Sequence, residues 1–354
     1  MAELSVVKIL FIPNWNVAQL TEDQPQLQAP DKKVAGEPYW FFRHFRGKVE
    51  VDVLDRGTSG AFQWLEKKAK FYVRQPFHAF FRRKSYDLIL SHGAQSGLVY
   101  ELLSSFSHQC PPHAMIDVGC LNGGRVNRTE TPLIRYALRK GPHIITHNTR
   151  QLDFYHQHYP ALAQHAQFIP FGVDCDYFTP QPYIASRKML AFGYAKRDFE
   201  TLCRAFPTGQ GWQLNIVGDT TLSKQYACQD IVFHPAEPLY RLMSLINSCE
   251  VVVLPLPELP YSYGQMSLLQ SMAMARPVIC SLTTSTIDYV SDAPCVQCVT
   301  PGDVSAMHNA LNQMMQLSND ERAALGQASR QWVEQRFNES VMAQQIEQFI
   351  YQII

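Results

Sequence analysis

Two successive series of short apolar segments constrain the fold of this chain more than any other feature. The first series consists of Val6–Ile12, Val49–Leu54, Asp87–Leu90, Ala114–Val118 and His143–Thr146. The second consists of Met189–Phe192, Gln213–Val217, Ile231–Phe233, Glu250–Leu254 and Pro277–Cys280. Short apolar strands that alternate with helical stretches are typical of a parallel sheet covered on both faces. The pattern predicts an α/β chain with two doubly wound Rossmann-like domains facing a cleft.

The stretch FIPFGVDCDYFTP, Phe168–Pro180, separates the two series. It contains prolines and a glycine and shows no periodicity, which is typical of a linker. We therefore expect an N-terminal acceptor-side domain at 1–168, a linker at 169–180 and a second domain at 181–338. A final helix at 339–354 is expected to return to the first domain. Helical patterns cover Tyr39–Phe45, Phe199–Ala205, Leu239–Asn247, Met266–Met274, Val304–Met315 and Asp320–Val333.

Composition narrows the class of protein. The chain has 31 Lys+Arg and 31 Asp+Glu, so its net charge of zero argues against wholesale capture of nucleic acid. The start, MAELSVVKILFIP, lacks a basic region before its apolar run and is interpreted as a first strand. Nine cysteines, an odd number, favour a reducing cytoplasm. Cys295-x-x-Cys298 is interpreted as redox-active, as half a metal site, or as two strand cysteines.

The charge is unevenly distributed. Residues 42–84 contain eleven Lys/Arg and four Asp/Glu, a local excess of +7. Within it, Trp64–Lys84 interleaves basic and aromatic residues, and Pro76 is expected to break it into two pieces. One interpretation is peripheral association with an anionic membrane on its inner face. The alternatives are attraction of an acidic acceptor, or a helix whose aromatics pack on the sheet while its cations are solvated.

Four segments together carry a family resemblance. They are the linker FIPFGVDCDYFTP, the segment LPLPELPYSYGQMSLLQSMAMARPVI (Leu254–Ile279), VTPGD (Val299–Asp303) and AGEPYWFFRHFRGKVEVDVL (Ala35–Leu54). In combination they resemble GT-B glycosyltransferases of the retaining, family 4 type, most firmly from Phe168 onward. The resemblance implies a hexosyltransferase-type enzyme. It would move a sugar from a nucleotide-diphosphate sugar, UDP- or GDP-linked, to a hydroxyl acceptor, with retention and without a bound metal or other cofactor.

The resemblance places the donor site in the second domain. The segment Gly193-Tyr-Ala-Lys-Arg-Asp198 aligns with the family's basic pattern, so Arg197, with Lys196 as second choice, would stabilise the diphosphate. Ser262 and Gln270 stand where the family usually has two glutamates. Further donor contacts are expected from Gly193, Gly218, Tyr263, Gly264, Gln265, Met266 and Ser267. The last five precede a helix, whose N-terminus can hold an anion, or form an ordinary loop and N-cap.

The first domain offers three candidates. Gly36 would let its loop approach the donor phosphate, or is a simple turn glycine. Asp117 ends a strand where the family often has a sugar-contacting His. It would act as acceptor-side base or sugar contact, or would hold the loop Cys120–Gly124. His92 follows another strand and is an acceptor or sugar contact, or is structural.

Two departures leave alternatives open. Ser262 and Gln270 in place of glutamates are compatible with a catalytically inactive relative that serves as a nucleotide-sugar-binding or partner subunit. Asp174-x-Asp176 resembles a metal-binding motif, but its position in the linker argues against that role.

Overall fold

A computed structural model describes residues 6–20, 27–57, 66, 71–121, 132–194 and 196–354, with residues 19 and 20 described by their backbone alone. The chain forms two compact units. Unit 1 comprises Met1–Pro170, Pro260–Ser262 and Met342–Ile354, and unit 2 comprises Phe171–Leu259 and Tyr263–Val341.

Unit 1 is built on a parallel sheet. Among its described residues the strands are β1 (Val7–Ile12), β2 (Ala18–Leu20), β3 (Lys32–Val34), β4 (Val49–Val53), β5 (Leu88–His92), β6 (His113–Asp117), β7 (His143–Thr146) and β8 (Ala166–Phe168). Six of these described strands form one sheet in the order β4-β1-β5-β6-β7-β8, and β2 pairs with β3. The strand order reverses between β1 and β5. Such switch points are where open α/β sheets bind ligands.

Helices of unit 1 cover this sheet. They are α1 (Arg74–Arg82), α2 (Ala94–Ser104), α3 (Pro132–Leu138), α4 (Thr149–His158) and α5 (Pro160–Ala163), with 3₁₀ segments at Ala29–Asp31, Trp40–His44 and Arg83–Ser85. Buried Leu10 and Ile89 pack against Ala79 of α1, and buried Met115 and Ile144 lie in one cluster with α2 and α3.

Unit 2 repeats the architecture. Its strands are β9 (Lys188–Phe192), β10 (Gln213–Val217), β11 (Ile231–His234), β12 (Val251–Leu254), β13 (Val278–Ser281) and β14 (Val296–Val299). They are parallel in the order β11-β10-β9-β12-β13-β14, with a switch point between β9 and β12. The helices are α6 (Phe199–Ala205), α7 (Ser223–Tyr226), α8 (Leu239–Ser248), α9 (Gln265–Ala273), α10 (Ile287–Val290), α11 (Val304–Gln316), α12 (Asn319–Arg336) and α13 (Glu339–Ile353).

The α/β class and the two Rossmann-like sheets are confirmed. The last helix, α13, runs from unit 2 into unit 1, where the Glu347 carboxylate accepts hydrogen bonds from the backbone N–H groups of Arg46 and Gly47, at 3.0 and 2.7 Å. No helix within the described residues is long and apolar enough to span a bilayer.

Two local predictions are wrong. Tyr39–Phe45 contains a 3₁₀ segment, because the consecutive side chains of Trp40, Phe41 and Phe42 are all buried around Phe11, whereas a regular surface helix buries one face. Pro76 does not lie at the break in its segment, because the non-helical residues 71–73 precede it. It is the third residue of α1, where a missing N–H removes no intrahelical hydrogen bond. Of the predicted basic stretch, residues 64–65 and 67–70 lie outside the described residues.

Candidate active site

Two glycines shape the carboxyl ends of β9 and β10. Gly193 has φ +141° and Gly218 has φ +114°. A Cβ on Gly218 would lie 2.6 Å from the carbonyl oxygen of Gly193, and one on Gly193 would lie 2.5 Å from Nε of Arg197. A side chain at Gly218 would require the backbone to shift, and one at Gly193 would displace the Arg197 side chain. Both predicted glycines are therefore required by close packing at the strand ends.

Arg197 lies at the switch point of unit 2. Its Nε donates to the carbonyl oxygen of Phe192 at 3.0 Å, and its Nη2 donates to Oγ of Ser267 at 2.9 Å. Burial lowers the pKa of Arg197, but a guanidinium stays protonated at neutral pH. The structure thus brings together two residues that the sequence placed in one site, and holds the cation in a fixed orientation. Lys196, the second choice, is exposed and has φ +57°.

Ser267 belongs to the first turn of α9. Gly264 precedes the helix with φ +80°, and a Cβ there would lie 2.8 Å from Cδ1 of Leu256. The first intrahelical bond runs from the Leu268 N–H to the Gly264 carbonyl at 3.0 Å. The N–H groups of residues 265–267 therefore precede the helical hydrogen-bond series, as at any helix N-terminus.

The other predicted residues of α9 differ in their surroundings. Gln265 is buried, and its Nε2 donates to the Ser285 carbonyl at 2.9 Å. Met266 is exposed, and Gln270 is buried one turn further along. Gln265 thus binds the loop after β13, whereas Met266 faces solvent.

A cluster of hydroxyl groups after β13 is a part of this site that the sequence analysis missed. Thr283 Oγ1 lies 2.9 Å from Ser285 Oγ and 3.2 Å from Thr286 Oγ1, and all three side chains are buried. Tyr263 lies beside Thr283 and Ser285, and its burial raises the Tyr263 pKa to about 12, so the phenol is neutral. The run SLTTST, directly after a strand, was the available signal.

Ser262 does not join this group. It lies in unit 1, where its Oγ donates to Oε1 of Gln151 at 2.8 Å. Gln151 is buried, and its Nε2 donates to the Asp117 carbonyl at 3.3 Å. Ser262 is thereby connected to the end of β6.

Asp117 is fully buried, and both of its carboxylate oxygens accept hydrogen bonds. Oδ1 accepts from the N–H groups of Gly119 and Cys120 at 3.0 and 2.8 Å, and Oδ2 accepts from the Tyr155 hydroxyl at 2.6 Å. Desolvation raises the Asp117 pKa, against the effect of these hydrogen bonds. The carboxylate therefore holds the start of the loop that follows β6. This is the structural role that the sequence analysis gave as the alternative for Asp117.

His92 lies at the switch point of unit 1. Its ring contacts Trp15 and Trp40, with centroid distances of 4.8 and 5.7 Å, and its buried Nδ1 has no hydrogen-bond partner. Burial, with a smaller contribution from His147, lowers the His92 pKa to about 3, so the imidazole is neutral. A neutral His between two indoles can orient a polar ligand but carries no charge.

Two missed residues adjoin His92. A Cβ on Gly93, which has φ +100°, would lie 2.8 Å from Nδ2 of Asn14 and 3.0 Å from Oε1 of Gln95. The Gln95 Oε1 is also buried without a hydrogen-bond partner. Asn14 follows Pro13 immediately after β1. Its position after the end of a predicted strand was the signal that the sequence offered.

The remaining candidates lie apart from these groups. Gly36 is exposed, has φ +82°, and nothing lies within 4 Å of a Cβ placed there. Asp174 Oδ1 accepts from the N–H groups of Asp176 and Tyr177, so it forms a turn. Cys295 is buried and Cys298 exposed, and both are free thiols. Among the described residues, no three His, Cys, Asp or Glu side chains are grouped as metal ligands.

Comparison with known families finds a match in the second half of the chain. Residues 187–317 match the family described as glycosyl transferases group 1. The matched residues include both glycines, Arg197 and the whole of α9.

A curated relative matches part of the chain. WcaL of Escherichia coli (strain K12), assigned to colanic acid biosynthesis as a glycosyltransferase, is 25% identical over 197 residues. The match covers 49% of this chain and 48% of that protein, so the chain spans about half the length of this relative.

Solved structures share the complete GT-B fold. HepE of Anabaena, in complex with UDP, has a TM-score of 0.68 and 15% identity, covering 98% of this chain and 100% of that chain. Sucrose-phosphate synthase from Thermosynechococcus elongatus has a TM-score of 0.70 and 17% identity, covering 98% of each chain. At these identities the likeness shows that the chain has the GT-B glycosyltransferase fold.

Proposed function

We propose that the chain transfers a sugar, a hexose in the first instance, from a nucleotide-diphosphate sugar to a hydroxyl group of an acceptor. The observation that carries the proposal is the 2.9 Å hydrogen bond between Arg197 Nη2 and Ser267 Oγ. It fixes a cation beside the first turn of α9, at the switch point of a sheet whose domain matches a glycosyltransferase family.

The chemistry requires stabilisation of a leaving diphosphate. As the bond from the anomeric carbon to the diphosphate oxygen breaks, negative charge grows on that oxygen. A guanidinium held in place, together with N–H groups of a helix N-terminus, stabilises such charge without further reorganisation. Gly193 and Gly218 let the ends of β9 and β10 pack closely beside Arg197. The UDP complex of HepE supports a UDP-linked donor, with a GDP-linked donor as the other candidate.

We propose retention of configuration and independence of metal ions. The acceptor oxygen would bond to the anomeric carbon on the face that the diphosphate leaves, and the acceptor proton would pass to the departing phosphate oxygen. Arg197 and the α9 N-terminus would provide the positive charge. Analysis of the product anomer by NMR tests retention, and an inverted product would contradict it. Loss of activity in EDTA, restored by a divalent cation, would contradict metal independence.

We assign acceptor binding to unit 1. His92, Asn14 and Gln95 surround the switch point between β1 and β5, and the Trp15 and Trp40 rings pack against His92. Asp117 is proposed to position the loop after β6, because its oxygens already accept three hydrogen bonds. The free state of all nine cysteines supports a cytoplasmic location. We also propose that the chain associates peripherally with the inner face of the membrane.

The second candidate is an inactive nucleotide-sugar-binding or partner subunit. Two observations favour it: Ser262 is hydrogen-bonded to Gln151, and position 270 carries an amide in place of a carboxylate. Donor binding without transfer or donor hydrolysis would support this candidate.

A thermal-shift screen with UDP, GDP, ADP and their sugar conjugates tests the proposal. One nucleotide is expected to raise the melting temperature by a few degrees, at about 100 times its dissociation constant. Arg197→Ala should abolish that shift. The absence of a thermal shift with every nucleotide would contradict both candidates. A thermal shift without sugar transfer would support the second candidate, the inactive subunit.

A further inference from the structure

A buried arginine borders a cavity in unit 2. Arg276 lies between α9 and β13 and is only 1% exposed. The cavity has a volume of about 280 Å³, whereas one water molecule needs roughly 10–15 Å³. Its other walls come from residues 180–183, from Ala275, and from Ala323 and Gln327 of α12. The cavity therefore has room for a small organic molecule.

This cavity lies at the opposite edge of the sheet from the candidate active site. Tyr183 precedes β9 and Arg276 precedes β13, so both belong to the amino ends of parallel strands. Gly193 and Gly218 follow the carboxyl ends of β9 and β10, the edge at which α/β sheets ordinarily bind ligands. The cavity is thus separate from the site around Arg197.

Three backbone carbonyls hold the Arg276 guanidinium. Its Nε donates to Met274, its Nη1 to Cys249 and its Nη2 to Gln181, each at 3.1 Å. A guanidinium has five N–H groups, one on Nε and two on each Nη. One N–H group on Nη1 and one on Nη2 therefore have no acceptor among the described residues. Because a buried donor without an acceptor costs free energy, the arrangement favours a ligand that accepts both hydrogen bonds.

No carboxylate of the described residues forms an ion pair with Arg276. The groups that face its charge are the Cys249 thiol and the Tyr183 phenol. Burial raises the pKa of each to about 12, so both are neutral at neutral pH. The Glu250 carboxylate, which accepts from the Tyr183 hydroxyl, is paired with Arg322 at 2.8 Å. A buried cation without a counter-ion costs free energy unless an anion joins it.

We propose that this cavity, the Arg276 cavity, binds a small organic carboxylate. The two oxygens of a carboxylate can accept the two remaining N–H groups of the guanidinium. The side-chain amides of Gln181 and Gln327 form no hydrogen bond to another described residue, so they supply further donors. Pro180 and Pro182 provide apolar contacts for the organic part.

The charge of the Arg276 cavity favours a carboxylate over a phosphate. Arg276 is the only cation among the described residues that line the cavity, and none of these residues is acidic. A single negative charge matches this single cation, whereas a phosphate dianion would leave one charge uncompensated. The proposal rests on unit 2 alone and does not depend on sugar transfer.

Ligand-observed NMR titrations of the full chain test the proposal. The probes are acetate, propionate and succinate at constant ionic strength, compared with inorganic phosphate and with propionamide, the uncharged analogue of propionate. At least one carboxylate should bind more tightly than phosphate, and propionamide should not bind. Binding of none of the carboxylates, or tighter binding of phosphate, would overturn the proposal.

Substitutions on α12 localise the binding without touching the buried cation. Ala323→Phe fills the cavity and should weaken carboxylate binding at least about tenfold. Ala324→Phe, at an exposed position outside the cavity, should leave binding unchanged. Gln327→Ala should weaken it about tenfold, the value of one hydrogen bond to a charged group, and exposed Gln335→Ala is its control. Equal losses in the variants and their controls would overturn the proposal.

Two arginine variants identify the cation. Arg276→Lys should weaken carboxylate binding at least about tenfold, because an ammonium lacks the planar pair of terminal nitrogens. If loss of its carbonyl contacts unfolds this variant, Ala323→Phe and Gln327→Ala decide. Arg197→Ala should bind carboxylates as the wild type does. Loss of binding in Arg197→Ala together with normal binding in Ala323→Phe would place the carboxylate at the active site and overturn the proposal. These outcomes are independent of the nucleotide thermal shifts.

Discussion

The Arg197 guanidinium donates from Nη2 to Oγ of Ser267 at 2.9 Å, across 70 residues of sequence. Because Nε is held at the same time by the Phe192 carbonyl, the fork has one orientation. An oriented cation next to a helix N-terminus differs from a solvated surface Arg, since it needs little reorganisation as charge develops on a leaving group.

Arg197→Lys should lower kcat for sugar transfer by about a hundredfold, because an ammonium cannot reproduce the guanidinium fork. Steady-state kinetics with the donor identified by thermal shift provide the measurement. The control is Arg204→Lys, an exposed Arg in the last turn of α6. An equal loss in both variants would contradict the assignment.

Ser267→Ala should lower kcat/KM by about tenfold, the value of one hydrogen bond to a charged group. Combined with Arg197→Lys, it should cost less than the sum of the single losses, since both act through one contact. A double-mutant cycle on kcat/KM measures the coupling. Strict additivity would show that the contact has no role in catalysis.

Gly218→Ala should destabilise unit 2 by more than about 2 kcal/mol, because the new Cβ meets a backbone carbonyl at positive φ. Gly209→Ala is the control, since Gly209 has φ +79° and open space around its Cβ position. It should cost only about 1 kcal/mol of backbone strain. Urea unfolding compares the two free energies, and equal values would exclude the clash.

Asp117→Asn should lower the free energy of unfolding by about 2 kcal/mol, since an amide leaves one of three donors unsatisfied. Tyr155→Phe, which removes only the hydroxyl bonded to Oδ2, should cost about 1 kcal/mol. If Asp117 positions the loop, kcat should fall with unchanged pH dependence. Loss of an acid limb from the kcat profile, at unchanged stability, would instead make Asp117 the base.

The pH dependence of stability should reveal His92. Its folded-state pKa of about 3 lies below the ordinary value of 6.5, so the unfolded chain binds more protons between these values. Stability therefore falls as the pH drops below about 6.5, by up to about 1.4 kcal/mol per pH unit for one group. His92→Gln should reduce that slope in chemical unfolding at pH 4.5–6.5. An unchanged slope would contradict burial of a neutral imidazole.

Local pattern was enough for most of the secondary structure. The strands His143–Thr146 and Gln213–Val217 and the helix Phe199–Ala205 have the predicted bounds. Each is bounded by turn signals and has a run of apolar residues whose burial is dictated by the sequence itself. Tyr39–Phe45 was misjudged because packing around Phe11, a distant residue, decides its geometry.

Local sequence patterns predicted only part of the candidate site. Strand ends and the resemblance placed Arg197, Gly193, Gly218, Gly264 and Ser267, and the family match covers all five. The hydroxyl groups after β13 and the surroundings of His92 were missed. The approach of Trp15 and Trp40 to His92 depends on tertiary packing, which a periodic pattern does not specify, whereas the hydroxyl groups lie within the single run SLTTST.

The sequence by itself determined that the chain forms two parallel α/β sheets and approximately where most of their strands lie, because hydrophobic periodicity and turn residues act over a few positions. Only the tertiary structure decided which strand ends are neighbours. It paired Arg197 with Ser267, Ser262 with Gln151, and Asp117 Oδ2 with the Tyr155 hydroxyl. Each of these contacts joins residues far apart in the chain, so each follows from sheet order and packing.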